Sequence, residues 1–310
     1  MGSDTSPDAL LDAILHAHTL ESLVLFATKE VFAGRKESEL VHFCPVQEFI
    51  SMEDDPLLVL RRKKNSSLCV GIRALQEKKI DAFVSAGNTG ALMAYATFQL
   101  PMLPSIKRAT LLTLLPTKKR EVAVLDVGAN VTAKSCDLLQ FAQMGIAFQK
   151  SRGVPHPLVG LLNIGTEEKK GTQELRDAYQ QLLTLNEKER LFIGNIEGRD
   201  VFKGEIDVLV TDGFTGNVFL KTAEGIAGFI LDQLKSESAF SFSPFLRVLI
   251  TALERRLQYA DYPGAVLAGI DGVVVKCHGN LEPIALVNAI KGASLLVTGA
   301  FLEKIRSELC

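Results

Sequence analysis

The chain has 310 residues, 47% of them hydrophobic, enough to bury a sizeable core as one large domain or as two lobes. Its 34 basic and 36 acidic residues leave a net charge of -2, which argues against bulk nucleic-acid binding through a strongly basic face. The five cysteines, Cys44, Cys69, Cys136, Cys277 and Cys310, share no C-x-x-C spacing and read as reduced thiols, and no apolar run is long enough to span a membrane.

The chain opens on Met1-Gly2-Ser3-Asp4-Thr5-Ser6-Pro7, which fits the loose N-myristoylation pattern. An amphipathic helix carrying His16 and His18 follows. Apolar runs then predict strands at 22–27, 41–44, 81–85, 109–115, 122–126, 158–163, 191–194, 207–211 and 273–276. Helical patterns fall between them at 56–78, 89–99, 133–147, 173–185, 216–234 and 283–305. Strand–helix alternation of this kind predicts a single α/β domain over 1–310, a mostly parallel sheet with helices on both faces. Ligands in such sheets bind outside the carboxyl ends of the strands.

Residues 236–262 break the alternation and read as a protruding helical arm. Phe242, Phe245, Leu246, Leu249, Leu253 and Leu257 recur there at three- and four-residue steps. Such a face packs on the core or on a dimer partner; the alternative is a tip of Phe240, Phe242 and Phe245 that touches lipid.

Three glycine-rich turns follow predicted strands: Ser85-Ala86-Gly87-Asn88-Thr89-Gly90, Asp126-Val127-Gly128-Ala129-Asn130 and Asp212-Gly213-Phe214-Thr215-Gly216-Asn217. The last is expected to open a helix near Thr215 or Asn217. A strand feeding a helix through such a turn presents unpaired N–H groups and the positive end of the helix dipole to an anion. Three such turns point to a phosphate-handling enzyme. Several other chemistries are missing: no two of the 24 glycines are two residues apart, so G-x-G-x-x-G is absent, and so are the Walker A, H-E-x-x-H and G-x-S-x-G patterns. Catalysis must therefore rest on backbone amides, Lys, Asn, Asp and His278.

The three turns recur in order with Gly160-Leu161-Leu162-Asn163-Ile164-Gly165-Thr166-Glu167-Glu168-Lys169-Lys170-Gly171, with Gly194-Asn195-Ile196-Glu197-Gly198-Arg199-Asp200 and with Gly272-Val273-Val274-Val275-Lys276-Cys277-His278-Gly279. Together these blocks resemble the bacterial phosphate acyltransferase of phospholipid synthesis, the acyl-carrier-protein:phosphate transacylase, over nearly the whole chain. The resemblance implies transfer of a long fatty acyl group from acyl carrier protein to inorganic phosphate, giving acyl phosphate for the glycerol-3-phosphate acyltransferase. It also implies a doubly wound fold like that of isocitrate and isopropylmalate dehydrogenases, a homodimer, no metal or organic cofactor, and a cytoplasmic enzyme in peripheral contact with the membrane. A phosphotransacetylase-like enzyme using coenzyme A thioesters is the nearest alternative, and a non-catalytic phosphate or acyl-chain binding protein the next.

By the same resemblance Lys170 and Asn217 are the catalytic pair. Phosphate is already a competent nucleophile, so the enzyme has to hold a multiply charged anion beside a thioester and stabilise the oxyanion that forms. Lys170 supplies charge for this, and the Asn217 amide supplies a donor assisted by the amides of Gly213, Phe214, Thr215 and Gly216. A solvated surface lysine and a helix N-cap are the plain readings of the two. Gly87, Asn88 and Thr89 form a second expected cradle, with Asp126 and Asn130 in the middle turn and Asp126 and Asp212 available to orient amides. His278 is a candidate acid for the leaving thiolate, a substrate contact or a structural histidine. Arg61-Arg62-Lys63-Lys64 and Arg255-Arg256 are basic runs that suit an acidic carrier protein.

The chain departs from the family at its start, where Ser3 replaces the second glycine of the Met-Gly-Gly-Asp block. In the family that block follows a short apolar strand lying inside the sheet. The natural protein is accordingly expected to start upstream, with Met1 internal, Asp4 at the active-site rim and Gly2 a turn glycine that carries no lipid.

Overall fold

The computed structural model describes residues 2–17, 21–186, 190–236, 264–277 and 282–309. Among them are ten strands: β1 (Leu23–Thr28), β2 (Val41–Val46), β3 (Ala82–Ser85), β4 (Thr110–Leu115), β5 (Val122–Leu125), β6 (Val159–Leu162), β7 (Phe192–Ile196), β8 (Val208–Val210), β9 (Ala265–Ala268) and β10 (Val273–Lys276). The chain divides into two compact units, one built from Met1–Ala109 with Asp261–Cys310, the other from Thr110–Ala260. Both are mixed α/β with a central sheet, as the alternation predicts.

In the second unit the strand order is β4-β5-β8-β6-β7. β4 and β5 run antiparallel, whereas β5, β8, β6 and β7 are parallel to one another. β5, β6 and β8 are buried along their whole length, which is why they read as uninterrupted apolar runs. Each fully buried Val or Leu there contributes about 1.5–3 kcal/mol. At the amino end of β8 the buried Asp207 carboxylate accepts from Arg120 at 3.0 Å and from the Leu158 amide at 2.9 Å. That ion pair anchors the edge opposite the loops that matter below.

In the first unit β3, β10 and β9 form one sheet, with β10 parallel to β3 and antiparallel to β9, while β1 and β2 pair in parallel. β1 and β3 border an apolar cavity of about 560 Å³ lined by Leu11, Leu25, Phe26, Phe83 and Leu286. Gly2 adopts φ 72°, and a Cβ there would lie 1.9 Å from the Ile50 carbonyl oxygen, so the residue is held as a turn glycine.

Several local features differ from the sequence-based expectations, among them the short helices Lys29–Phe32 and Gly198–Val201, which no pattern predicts. β9 lies outside every predicted element. The helix expected over 56–78 is two, Pro56–Arg62 and Ser67–Gln76, because the Ser66 hydroxyl accepts from the Cys69 amide and caps a new start. The terminal helix is likewise two, Pro283–Thr298 and Phe301–Glu308, bent by 52° at a left-handed Ala300. The helix after β8 begins at Gly213 and runs to Ser236. The rest of the predicted arm, 237–262, lies outside the described residues, with Phe240, Phe242, Phe245, Arg255 and Arg256. Among the described residues no single helix is long and apolar enough to cross a membrane.

Candidate active site

Because β5, β8, β6 and β7 are parallel and adjacent in that order, their carboxyl ends share one edge of the second unit. Three of the sequence blocks leave from that edge: 126–130 after β5, 212–217 after β8 and 163–171 after β6.

Asp126 holds the first of these loops. It is fully buried, and its Oδ1 accepts from the amides of Leu111 (3.1 Å), Gly128 (3.1 Å) and Ala129 (2.9 Å). Its Oδ2 accepts from the Asn130 amide (2.7 Å) and from Asn130 Nδ2 (2.8 Å). A carboxylate offers about four lone-pair sites, so five donors fill it. In this arrangement it orients the loop.

The second loop packs directly on the first. The Gly213 amide donates to the Asn130 carbonyl at 2.8 Å. A Cβ on Gly216 would lie 1.9 Å from the Asp126 carbonyl oxygen, and one on Gly213 would lie 2.9 Å from Asp126 Oδ2, so only glycines allow this approach. Asp212 is the cap: its Oδ1 accepts from the Thr215 amide at 2.9 Å and its Oδ2 from the Thr215 hydroxyl at 2.8 Å. The Gly216 amide donates to the Asp212 carbonyl at 2.9 Å. These contacts correct two expectations. The amides of Gly213, Thr215 and Gly216 are committed within the protein, so of the four expected donors the Phe214 amide is left without a partner among the described residues. Asn217 is not an N-cap; it is the fifth helical residue. Its side chain is exposed and makes no hydrogen bond among the described residues, and it stands beside Gly128, where an added Cβ would lie 3.7 Å from Asn217 Cγ.

Lys170 ends the third loop. Its side chain is half-exposed, and its one ion pair among the described residues is a loose contact of 3.9 Å with Glu167. Two buried residues that the sequence reading did not single out, Asn163 and Asn195, hydrogen-bond to the backbone of this loop.

The remaining predicted residues belong to the first unit. Asn88 is buried and caps the helix Thr89–Gln99: its Oδ1 accepts from the Ala91 amide at 3.0 Å. Its Nδ2 donates to the carbonyls of Ser51, Met52 and Asp54 at 3.1–3.2 Å. The Gly87 amide donates to Ser85 Oγ at 3.2 Å, while Thr89 and Asp4 are exposed. The Asn88 side chain is thus spent on structure and is not available to a ligand. In the basic run, Lys63 pairs with Asp54 at 2.5 Å and holds that carboxyl below the usual carboxylate range, whereas Arg61, Arg62 and Lys64 are exposed. His278 lies outside the described residues.

Residues 1–304 match the family described as fatty acid synthesis protein. A phosphate acyltransferase from Chlamydia abortus is 40% identical over 328 residues, covering 100% of this chain and 97% of the relative. One from Halothermothrix orenii is 39% identical over 329 residues, covering 100% and 96%. The chain belongs to the phosphate acyltransferase family. Among solved structures, a phosphotransacetylase from Streptococcus pyogenes aligns with a TM-score of 0.65 at 13% identity, covering 96% of this chain and 92% of that one. A phosphotransacetylase from Staphylococcus aureus aligns at 0.56 and 14%, covering 94% and 100%. At such identities the likeness shows a shared fold. Within the family's sequence blocks on the second unit's edge, the exposed side chains without a close partner among the described residues include those of Lys169, Lys170 (apart from its loose contact with Glu167) and Asn217.

Proposed function

We propose that this enzyme of the phosphate acyltransferase family works through Lys170 and Asn217, moving a long fatty acyl group from acyl carrier protein to inorganic phosphate. The observation that carries the reading is that Lys170, on the loop after β6, and Asn217, near the start of the helix after β8, follow the carboxyl ends of adjacent parallel strands, where α/β sheets bind ligands, and neither side chain is consumed by the fold. A phosphate oxygen attacks the thioester carbonyl carbon, and the carbonyl electron pair moves onto its oxygen. Lys170 offsets the charge of the phosphate, and Asn217 Nδ2 donates to the oxyanion, which is worth most where the donor is held in place beforehand. When the carbon–sulfur bond breaks, acyl phosphate leaves and the proton of hydrogen phosphate ends on the carrier thiol. His278 and Asp4 are retained as substrate contacts.

The wider reading has the same standing. The fold is proposed to be the doubly wound one of isocitrate and isopropylmalate dehydrogenases. The enzyme is proposed to act as a homodimer at the cytoplasmic face of the membrane, feeding a glycerol-3-phosphate acyltransferase. Arg61, Arg62 and Lys64, exposed at the end of a helix, suit docking of an acidic carrier protein. The likeness in fold to phosphotransacetylases supports coenzyme A thioesters as the second reading. Trapping acyl phosphate with hydroxylamine, using acyl carrier protein and coenzyme A donors in parallel, separates the two. Hydroxamate from the carrier-protein donor at much the higher kcat/KM is expected; product from coenzyme A alone would select the second reading, and none from either donor would refute both.

A further inference from the structure

Lys170 stands on a stretch with almost no core of its own: Ile164 and the residues from Thr166 to Lys170 are exposed. Apolar packing does not hold this loop, so its geometry must come from hydrogen bonds. Two of the strongest candidates to supply them are asparagines at the carboxyl ends of neighbouring parallel strands. The ladder pairs Leu161 with Asn195 and Leu162 with Ile196, and the Asn163 amide extends it by donating to the Ile196 carbonyl at 2.9 Å. Asn163 and Asn195 are each only 8% exposed.

From that position the two side chains reach into the loop. Asn163 Oδ1 accepts from the Ile164 amide at 2.8 Å, where the loop leaves the sheet, and its Nδ2 donates to the Lys170 carbonyl at 3.1 Å, where the loop ends. Asn195 Nδ2 donates to the Glu167 carbonyl at 2.9 Å, and that carbonyl also accepts from the Lys170 amide at 3.1 Å. The next residue, Gly171, adopts φ 86°, and a Cβ there would lie 2.7 Å from Asn163 Oδ1. The lysine's backbone is thus tied at both ends of one turn to a buried, rigid sheet edge.

Asn195 also carries a cost that marks its purpose. Its Oδ1 is buried with no hydrogen-bond partner among the described residues. An unpaired buried acceptor is unfavourable, and an apolar side chain of the same size would remove it. The Glu167 carbonyl would still keep the Lys170 amide as donor. For stability alone the position favours leucine, so what the asparagine contributes is the donor that fixes the loop.

We propose that Asn163 and Asn195 are positioning residues that set the Lys170 ammonium for the transfer step. The inference rests on the reading of Lys170 as the phosphate- or oxyanion-stabilising group. A displacement of about 1 Å in a reacting group costs up to roughly a hundredfold in rate. Asn195→Leu and Asn163→Leu are therefore each expected to lower kcat by roughly tenfold to a hundredfold. KM for the acyl donor should stay near that of the unmodified protein, and Asn195→Leu should leave the melting temperature almost unchanged.

The deciding experiment is a double-mutant cycle read by the hydroxylamine trap, with tryptic cleavage after Lys169 and Lys170 in the native proteins as a readout independent of activity. If the asparagines act through Lys170, adding Asn195→Leu to Lys170→Ala costs no further activity, and Asn195→Leu speeds cleavage at Lys169 without lowering the melting temperature. Additive losses, or unchanged cleavage and full turnover in Asn195→Leu, would overturn the proposal. Wild-type turnover in Lys170→Ala alone would instead refute the reading of Lys170 on which it rests. Should Asn163→Leu fail to fold, Asn195→Leu carries the test.

Discussion

The turn after β3 and the turn after β8 share one grammar, a short strand followed by glycine, an asparagine and a helix, yet they use their asparagines in opposite ways. In the first unit Asn88 is the cap, and every polar atom of its side chain is engaged, by the Ala91 amide and by three carbonyls between Ser51 and Asp54. In the second unit Asp212 caps the helix, and Asn217, more than a turn further on, is exposed and uncommitted. The anion-binding potential of a helix start depends on which of its donors the protein has already consumed. In the second turn the glycines serve close approach to the Asp126 loop, and the Phe214 amide and the Asn217 side chain are left without partners among the described residues.

That contrast can be broken most sharply at Asn217. Asn217→Ala should cut turnover by roughly a hundredfold or more, as loss of one oxyanion donor does, while the melting temperature stays within error because no cap or buried contact is lost. Full turnover, or an early-melting protein, would place Asn217 with Asn88 among structural residues. The mirror experiment sharpens the other side. Asn88→Ala removes a cap and leaves up to three carbonyls without their donor, an expected loss of about 1–3 kcal/mol. Denaturant unfolding should report that loss while kcat per folded molecule holds. A large fall in kcat at unchanged stability would instead restore Asn88 to the active site.

The difference between these turns also marks how far the sequence could be read. Alternation of apolar runs and helical periods located the mostly parallel sheet, and the order of the glycine blocks located the edge on which Asp126, Asn217 and Lys170 gather. The register of capping was misplaced, although Asp212 three residues before Thr215 carries the spacing of an N-cap. β9, four apolar residues after an ambiguous helical segment, has no period of its own; Pro263-Gly264 before it and Asp271-Gly272 ahead of the next apolar run are its turn signals. The single helix expected over 56–78 ignored the start signal at Ser66. Asn163 and Asn195 were out of reach for another reason. Their partners are carbonyls 7 and 28 residues away, and no local pattern distinguishes a buried asparagine that clamps a loop from one that caps a turn. Packing and pairing across the chain decide which polar groups are left free, and local sequence does not state that.

The central claim, that the half-exposed Lys170 ammonium at the carboxyl edge of the second unit drives transfer to phosphate, is tested most directly by Lys170→Ala. Purified variant and unmodified protein would be compared for acyl phosphate formed from acyl carrier protein thioester and phosphate, with circular dichroism confirming that both are folded. A fall in kcat/KM of roughly a hundredfold or more at unchanged fold is the expected result; a folded Lys170→Ala protein that turns over at the unmodified rate would contradict it.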